Sequence, residues 1–246
     1  MPDIFKKEPV EGYPPEEGCY LRGNDYSPVA VVVILRWNRE ETPVDIERLV
    51  RVGAESGAAL AGTLQTENIG IEKIVCNVVA NPNIRYLVIF GPESPGHLCG
   101  GALLELGRNG IDANKRIVGA ESLTPFLFNI APEYIDRFRR QITMINLLNE
   151  GSPEVLRQVV WSCYQEQPVP FRDYRLADPG AYAEAPLSGK ITWRIARPQS
   201  EPKNAEEHSQ VAKARQLMER IRKALEEKKR RNCPGTTMPK TGAPDA

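Results

Sequence analysis

The chain has 246 residues, of which 41% are hydrophobic and 26% are charged, and its 32 Lys and Arg residues balance 32 Asp and Glu residues. This length allows one large domain or one domain with an appendage, and it supplies enough apolar surface for a core. The balanced charge gives no strong field toward nucleic acid or a membrane surface, and we expect neither as a partner. The five scattered cysteines form no C-x-x-C pair, which argues against a zinc knuckle or a disulfide framework and favours a reducing cytoplasm.

The first 35 residues contain an arm and then a strand. Residues 1–27 are rich in Pro, Gly and Glu, which predicts an irregular surface arm, and they lack the apolar region of a signal peptide. VAVVVIL at 29–35 is the longest apolar run and is too short to cross a bilayer, so we expect no membrane span. A continuous β-branched run of this kind is typical of a strand buried on both faces of a parallel sheet.

Strands and helices alternate over residues 28–166. In IEKIVCNVVA the apolar residues fall at positions 71, 74, 75, 78 and 79, the spacing of one helix face, so we predict a helix over 68–80 despite the strand-like composition. The other predicted elements are helices at 42–57, at 94–110 with Ser94 as N-cap, at 132–150 and at 152–166, and strands at 58–65, 84–91 and 116–120. The alternation predicts an α/β fold with an open, mostly parallel sheet and flanking helices.

The composition changes after residue 166. Residues 167–202 form an extension rich in proline and aromatic residues, with one strand predicted at 190–196. Residues 203–246 contain a charged amphipathic helix and a tail predicted to be disordered. The helix places Val211, Ala214, Met218, Ile221 and Leu225 at alternating three- and four-residue steps, which predicts a coiled-coil or helix-docking partner through 205–231. A docked or half-exposed helix with no such partner is the alternative.

GPESPGHLCGGALLEL, residues 91–106, contains His97, one of only two histidines. In open α/β sheets ligands bind beyond the carboxyl ends of the strands, and His97 follows such an end, in the predicted first turn of a helix. The neighbouring glycines let a flat group approach the backbone. The alternative is a loop histidine with ordinary hydrogen bonds.

Several site classes are disfavoured by the sequence around His97. A serine hydrolase would need a G-x-S-x-G elbow, and a nucleotide-binding fold would need its glycine-rich signature, yet neither is present. Cys99 is two residues from His97 and would point to another side of a helix, while a zinc site would find only His208 as a second imidazole. A single imidazole can instead serve as the axial ligand of a metal held by a macrocyclic cofactor.

The block TENIGIEKIVCNVVANPNIRYLVIFG, followed by GHLCGGALLELGRNGID, RIVGA and PF at 125–126, resembles the A subunit of tetrahydromethanopterin S-methyltransferase. YP, GCYLRGN and VAVVVIL fit the beginning of that family, and the similarity extends over about residues 12–150. The resemblance implies a Rossmann-like domain that binds a cobamide, a cobalamin-type corrinoid, with His97 as axial cobalt ligand. The D-x-H-x-x-G pattern of other cobalamin-binding proteins is absent.

The resemblance also implies a function. Cobalt would carry a methyl group from an N5-methyl-tetrahydropterin, methyl-tetrahydromethanopterin or methyl-tetrahydrofolate, to a thiol such as coenzyme M, together with methyltransferase partner subunits. His97 would bind as neutral imidazole, with its second nitrogen donating to a carboxylate or carbonyl. Glu93 is a candidate for this partner, and a solvated loop carboxylate is the alternative for Glu93. A non-catalytic cobamide-binding sensor, carrier or scaffold is the alternative, and a domain that has lost the cofactor is a third interpretation.

Further residues around His97 are candidate cofactor-binding positions. They are Thr66, Glu67, Asn68, Gly91, Gly96, Gly100, Gly119, Ala120, Pro125 and Phe126. Thr66, Glu67 and Asn68, at a predicted helix start, would bind corrin amides or a phosphate, with helix capping as the alternative. The three glycines would permit close approach of the cofactor, with strand-end and packing roles as the alternative. The four residues between 119 and 126 would line the far side of the crevice at the carboxyl ends of the strands, or serve as ordinary turn and packing residues.

Two features depart from the family pattern. Members in the membrane complex end in a transmembrane anchor, whereas this sequence has the extension and the charged helix, so we expect a cytoplasmic protein. GTLQ at 62–65 stands where a GPCH-like sequence is expected. Both departures put a sodium-pumping assembly in doubt and leave the His97 block intact.

Overall fold

A computed structural model describes residues 6–36 and 42–164, the backbone of 194–195, and separate helical positions between 205 and 223. The chain divides into two compact units, 1–199 and 200–246. In the second unit, the described positions Leu217 and Ile221 are helical and exposed. Ile221 is one of the five residues predicted at coiled-coil spacing, and the other four lie outside the described part of the chain.

The first unit contains a mixed, mostly parallel sheet. Its strands are β1 (Tyr20–Arg22), β2 (Val29–Ile34), β3 (Leu60–Leu64), β4 (Tyr86–Gly91), β5 (Thr143–Leu148) and β6 (Arg194–Ile195), in the spatial order β5-β4-β2-β3-β1-β6. The pairs β2·β3, β2·β4, β4·β5 and β1·β6 are parallel, and β1 is antiparallel to β3. The predicted α/β class with a mostly parallel sheet is confirmed.

Helices cover both faces of this sheet. They are α1 (Val44–Glu55), α2 (Ile69–Val79), α3 (Cys99–Asn109), α4 (Pro132–Gln141) and α5 (Pro153–Ser162). Alternate residues of β2 enter two separate cores, because successive side chains of a strand point to opposite faces. Val32 packs in the core that contains residues of α2, α3 and α4, and Val33 packs in the core that contains residues of α1 and α5.

The strand order reverses next to β2. The chain passes from β2 to β3 on one side and then returns to β4 on the other side. Loops after β2 and β4 therefore diverge at the carboxyl edge of the sheet, and crevices at such reversals are the usual ligand sites of open α/β folds. The loop that carries His97 follows β4.

The helix predicted over 132–150 was wrong in its second half. α4 ends at Gln141, and residues 143–148 form β5, paired with β4 from Tyr86↔Thr143 to Gly91↔Leu148. Apolar residues continue at helical spacing through this segment, but the open edge of β4 gives TMINLL a full ladder of backbone hydrogen bonds. Tertiary pairing therefore overrides the local pattern.

Two further predictions were wrong in part. RIVGA at 116–120 does not join the sheet, because residues 111–126 form only the isolated bridges Ile111↔Ile117 and Arg116↔Phe126. The arm is not wholly irregular, because β1 lies within it. Asn83 also holds the arm: its Oδ1 accepts from Lys7 N at 2.9 Å, and its Nδ2 donates to Asp25 O at 3.0 Å.

Candidate functional site

The loop that carries His97 runs from the end of β4 to the start of α3. The sequence predicts a helix that begins at Ser94, but α3 begins at Cys99, so His97 lies in the loop and not in the first helical turn. The residue before the helix, Leu98, has a φ of 45°, in the left-handed region. This backbone turn separates the imidazole from the helix.

Glu93 explains why the helix starts late. Its carboxylate accepts hydrogen bonds from Ser94 N at 2.8 Å, Gly100 N at 3.1 Å and Gly101 N at 2.7 Å. A carboxylate at a helix start satisfies otherwise unpaired N–H groups and complements the helix dipole. Glu93 therefore holds both ends of the loop together, and it is neither the hydrogen-bond partner of His97 nor a merely solvated loop carboxylate.

The partner of His97 is Glu67, from the loop before α2. Oε2 of Glu67 lies 2.9 Å from Nδ1 of His97. The Glu67 side chain is 2% exposed and the imidazole is 40% exposed. A buried carboxylate thus supports a ring that still reaches solvent.

Thr124 completes this arrangement. Its backbone N–H and its hydroxyl donate to Oε1 of Glu67 at 3.1 and 2.9 Å. Burial disfavours the ionised form of Glu67, but hydrogen bonds from its own N–H, His97 and Thr124 outweigh burial, and the pKa of Glu67 lies below its usual value. Glu67 is therefore ionised near neutral pH and favours a proton on Nδ1, which assigns Nε2 as the ring nitrogen suited to a metal.

The other two polar residues at the start of α2 act as helix caps. Thr66 Oγ1 accepts from Gly70 N at 2.9 Å, and Asn68 Oδ1 accepts from Ile69 N at 2.7 Å. These bonds fit the capping alternative. They also fix the position of Glu67, which lies between the two caps.

The three predicted glycines lie at the end of β4 (Gly91), in the loop (Gly96) and in α3 (Gly100), and they have different surroundings. A Cβ at Gly96, where φ is +82°, would meet no atom within 4 Å. A Cβ at Gly100 would collide with the Leu148 side chain and would lie 3.0 Å from Glu93 Oε2. Gly91, at the strand end, has a φ of +96°. Gly96 is thus the glycine with open space beside it, and Gly100 is required for packing.

The segment after α3 contributes through residues that the sequence interpretation missed. Besides Thr124, Ser122 Oγ donates to Leu98 O at 3.1 Å. Phe126 instead stacks on Phe128, with ring centroids 5.4 Å apart. Gly119 has a φ of +85°, Ala120 is buried, and Pro125 O accepts from Ile117 N. The signal for Thr124 was its position directly before the quoted PF. Glu67 was among the predicted site residues, but nothing local pointed to it as the hydrogen-bond partner of His97.

Apolar side chains lie exposed in the two segments that meet at Glu67. Ile69, two residues after Glu67, is 49% exposed, and Leu123, directly before Thr124, is 76% exposed. Exposed apolar side chains suit contact with an apolar or flat ligand.

Comparison with known proteins identifies the family. The sequence model of the family described as the A subunit of tetrahydromethanopterin S-methyltransferase matches residues 6–192, a range that holds the whole arrangement of Glu67, His97 and Thr124. The chain belongs to this family. The match is longer than the range of about 12–150 on which the resemblance was based.

Three relatives, all named as A subunits of tetrahydromethanopterin S-methyltransferase, illustrate the similarity. The one numbered 1 in Methanothermobacter thermautotrophicus is 36% identical over 189 residues, which cover 76% of this chain and 70% of the relative. The one numbered 2 in the same organism is 38% identical over 190 residues, with 76% and 92% covered. The one numbered 2 in Methanobrevibacter ruminantium is 35% identical over 187 residues, with 76% and 86% covered.

The helices in the described part of the chain are short or polar. None of them combines the length and the apolar character that a membrane span requires.

Proposed function

We propose that this member of the A subunit family binds a cobamide through His97 and carries a methyl group between an N5-methyl-tetrahydropterin and a thiol such as coenzyme M. The single observation that carries the proposal is the Glu67–His97 hydrogen bond at the carboxyl end of β4. A metal-binding histidine almost always donates its other ring N–H to a carboxylate, a carbonyl or water.

The surroundings of His97 fit a large cofactor. The imidazole is 40% exposed, and the position beside Gly96 is open. A macrocycle supplies the remaining metal ligands, so one axial imidazole is a sufficient donor set from the protein. The exposed apolar side chains of Ile69 and Leu123 give such a ring a surface to contact.

Each residue of the arrangement has a distinct role in this proposal. The cobalt of the bound cobamide would supply the atom that accepts and releases the methyl group. His97 would bind it through Nε2, Glu67 would hold the proton on Nδ1, and Thr124 would orient Glu67. Because Glu67 connects the ring to Thr124, a change in His97 ligation would be transmitted to the segment that contains Ser122 and Thr124.

The names of the relatives support separate partner proteins. They are called subunits of tetrahydromethanopterin S-methyltransferase. We therefore assign the binding of the methyl donor and of the thiol acceptor to methyltransferase partner subunits, with this chain as the carrier between them.

The test is retention of a corrinoid by the purified full chain. The protein is mixed with hydroxocobalamin, desalted and examined by ultraviolet–visible spectroscopy, alongside His97→Ala and the matched control His208→Ala. We expect a retained corrinoid whose histidine-shifted band is lost in His97→Ala and kept in His208→Ala. An unchanged band in His97→Ala would overturn the axial-ligand assignment. Binding without methyl transfer in the presence of donor, acceptor and partner subunits would favour a non-catalytic sensor or scaffold.

A further inference from the structure

His97 lies between two residues whose backbone is left-handed. Gly96 has a φ of +82°, and Leu98 has a φ of 45° and a ψ of 45°. Glycine adopts this conformation readily, whereas the Cβ of a leucine crowds the neighbouring carbonyl and makes it unfavourable. The strain therefore lies at Leu98, directly after the imidazole, and contacts with the surrounding structure must hold this residue in place.

The left-handed turn at Leu98 decides where the imidazole points. Ser94 and Pro95 carry the sequence signals of a helix start, so with a right-handed Leu98 the helix α3 would extend backward through His97. The imidazole would then project from the first helical turn. The observed turn instead leaves His97 in the loop, with its Nδ1 2.9 Å from Oε2 of Glu67.

Ser122 holds this turn from outside the loop. Its hydroxyl donates to the carbonyl oxygen of Leu98 at 3.1 Å, across 24 positions of sequence, and the residue is 3% exposed. Two further hydrogen bonds of the Leu98 backbone are local. The N–H donates to Ser94 O, and the carbonyl also accepts from Ala102 N, both at 2.9 Å. Ser122 thus ties the strained residue to a distant segment of the chain.

The segment that carries Ser122 is itself anchored on both sides. Two residues before it, Ala120 O accepts from the Arg116 guanidinium at 2.9 Å. Two residues after it, the N–H and the hydroxyl of Thr124 donate to the Glu67 carboxylate. The same segment therefore contacts the backbone next to the imidazole and the carboxylate that binds the ring. Both contacts favour one orientation of the imidazole.

We infer that Ser122 is a positioning residue for the axial ligand: by holding Leu98 in the left-handed turn, it keeps His97 in the loop, with Nε2 available to a metal. The inference rests on the proposed function and extends it, because it names what fixes the backbone beside the ligand. Ser122 acts through Leu98. A replacement of Leu98 that removes the strain should therefore make Ser122 dispensable.

The test measures axial ligation of methylcobalamin bound to the full chain. The methyl group weakens the bond on the opposite side of cobalt, so ligated and unligated forms can both be measured from the absorption spectrum. At a fixed pH we expect Ser122→Ala to lower the ratio of histidine-ligated to unligated corrinoid about tenfold, as for other groups that support a metal-binding histidine. Ser162→Ala is the matched control, because the Ser162 hydroxyl also donates to a backbone carbonyl, Gln158 O at 2.7 Å, and it should leave the ratio unchanged.

Rescue at Leu98 distinguishes positioning from a general loss of structure. Glycine and asparagine tolerate a positive φ, so Leu98→Gly or Leu98→Asn added to Ser122→Ala should return the ratio to within about threefold of the unmodified protein. With Ser122 present, the same replacements should change the ratio little. Ser122→Cys keeps the side-chain volume and replaces the hydroxyl by a weak donor, so it gives a second reading if alanine disturbs the fold.

The outcomes separate this inference from the proposed function. If the ratio depends on His97 but is unchanged in Ser122→Ala and Ser122→Cys, the positioning role is refuted and the proposed function stands. The same conclusion follows if neither Leu98 replacement restores the ratio. If methylcobalamin is not retained, or its spectrum is the same in His97→Ala, the proposed function fails and the positioning role fails with it.

Discussion

Glu67 and His97 are thirty residues apart in the sequence, yet Oε2 of Glu67 lies 2.9 Å from Nδ1 of His97. The contact joins the loop before α2 to the loop after β4. Since the carboxylate is buried and also accepts two hydrogen bonds from Thr124, it has little freedom to turn away from the ring. The imidazole is thus held in one orientation before any ligand binds.

Replacement of the buried carboxylate tests its importance for binding. Glu67→Gln removes the charge that fixes the Nδ1 proton, and we expect about a 10- to 100-fold loss of corrinoid affinity, as for other groups that support a metal-binding histidine. Equilibrium dialysis with hydroxocobalamin measures it. Glu105→Gln, which alters a partly exposed carboxylate beside Arg108, is the control and should retain the affinity of the unmodified chain. Equal affinities in the two variants would contradict a role for Glu67.

Acid should remove the stabilisation that Glu67 provides. Because the pKa of Glu67 is lowered from 4.5 in the folded protein, its ionised form contributes stability above a pH of about 4.5. This contribution is lost as the pH falls through the folded pKa. Urea unfolding at several pH values should show the unmodified chain more stable than Glu67→Gln at neutral pH, with the difference shrinking toward pH 3. A difference that grows on acidification would show that the sign is wrong.

Glu93 should stabilise both the fold and the His97 loop. Glu93→Ala leaves N–H groups at the start of α3 without their acceptor, and we expect a loss of about 1–2 kcal/mol, comparable to removal of a strong helix cap. Thermal or urea unfolding measures this loss. Glu121→Ala, on an exposed part of the next loop, should change stability by less than about 0.5 kcal/mol. Similar losses in the two variants would argue against the cap.

Gly96 and Gly100 should respond differently to a methyl group. Gly96→Ala meets open space, so only the positive φ opposes it, at a cost of about 1–2 kcal/mol, and the fold should persist while corrinoid retention falls. Gly100→Ala should destabilise the fold more strongly because its Cβ collides with Leu148. Circular dichroism, unfolding and corrinoid retention distinguish the two. Full retention in Gly96→Ala would place the cofactor away from this glycine.

Local patterns predicted the elements that position His97 but not its contacts. The continuous β-branched run of β2 is typical of a strand buried on both faces, and the spacing of apolar residues in α2 is typical of a helix buried on one face. These two patterns differ clearly, so both elements could be predicted from the sequence. The partner of His97 could not be chosen in this way. Glu93 is close in sequence and Glu67 is distant, and only the packing of α2 beside the loop after β4 decides between them. The 132–150 segment was misassigned for a related reason, since its strand exists only beside β4.

The short strand β1 has a practical consequence for shortened versions of the protein. Its three residues pair with Leu60–Gly62 and separate β3 from open solvent along that edge. A truncated chain that begins at residue 28, where the proline-rich arm ends by composition, would leave the edge of β3 unpaired. Bare strand edges recruit strands from other molecules, so such a truncation should self-associate during purification even though every residue of the His97 site is retained.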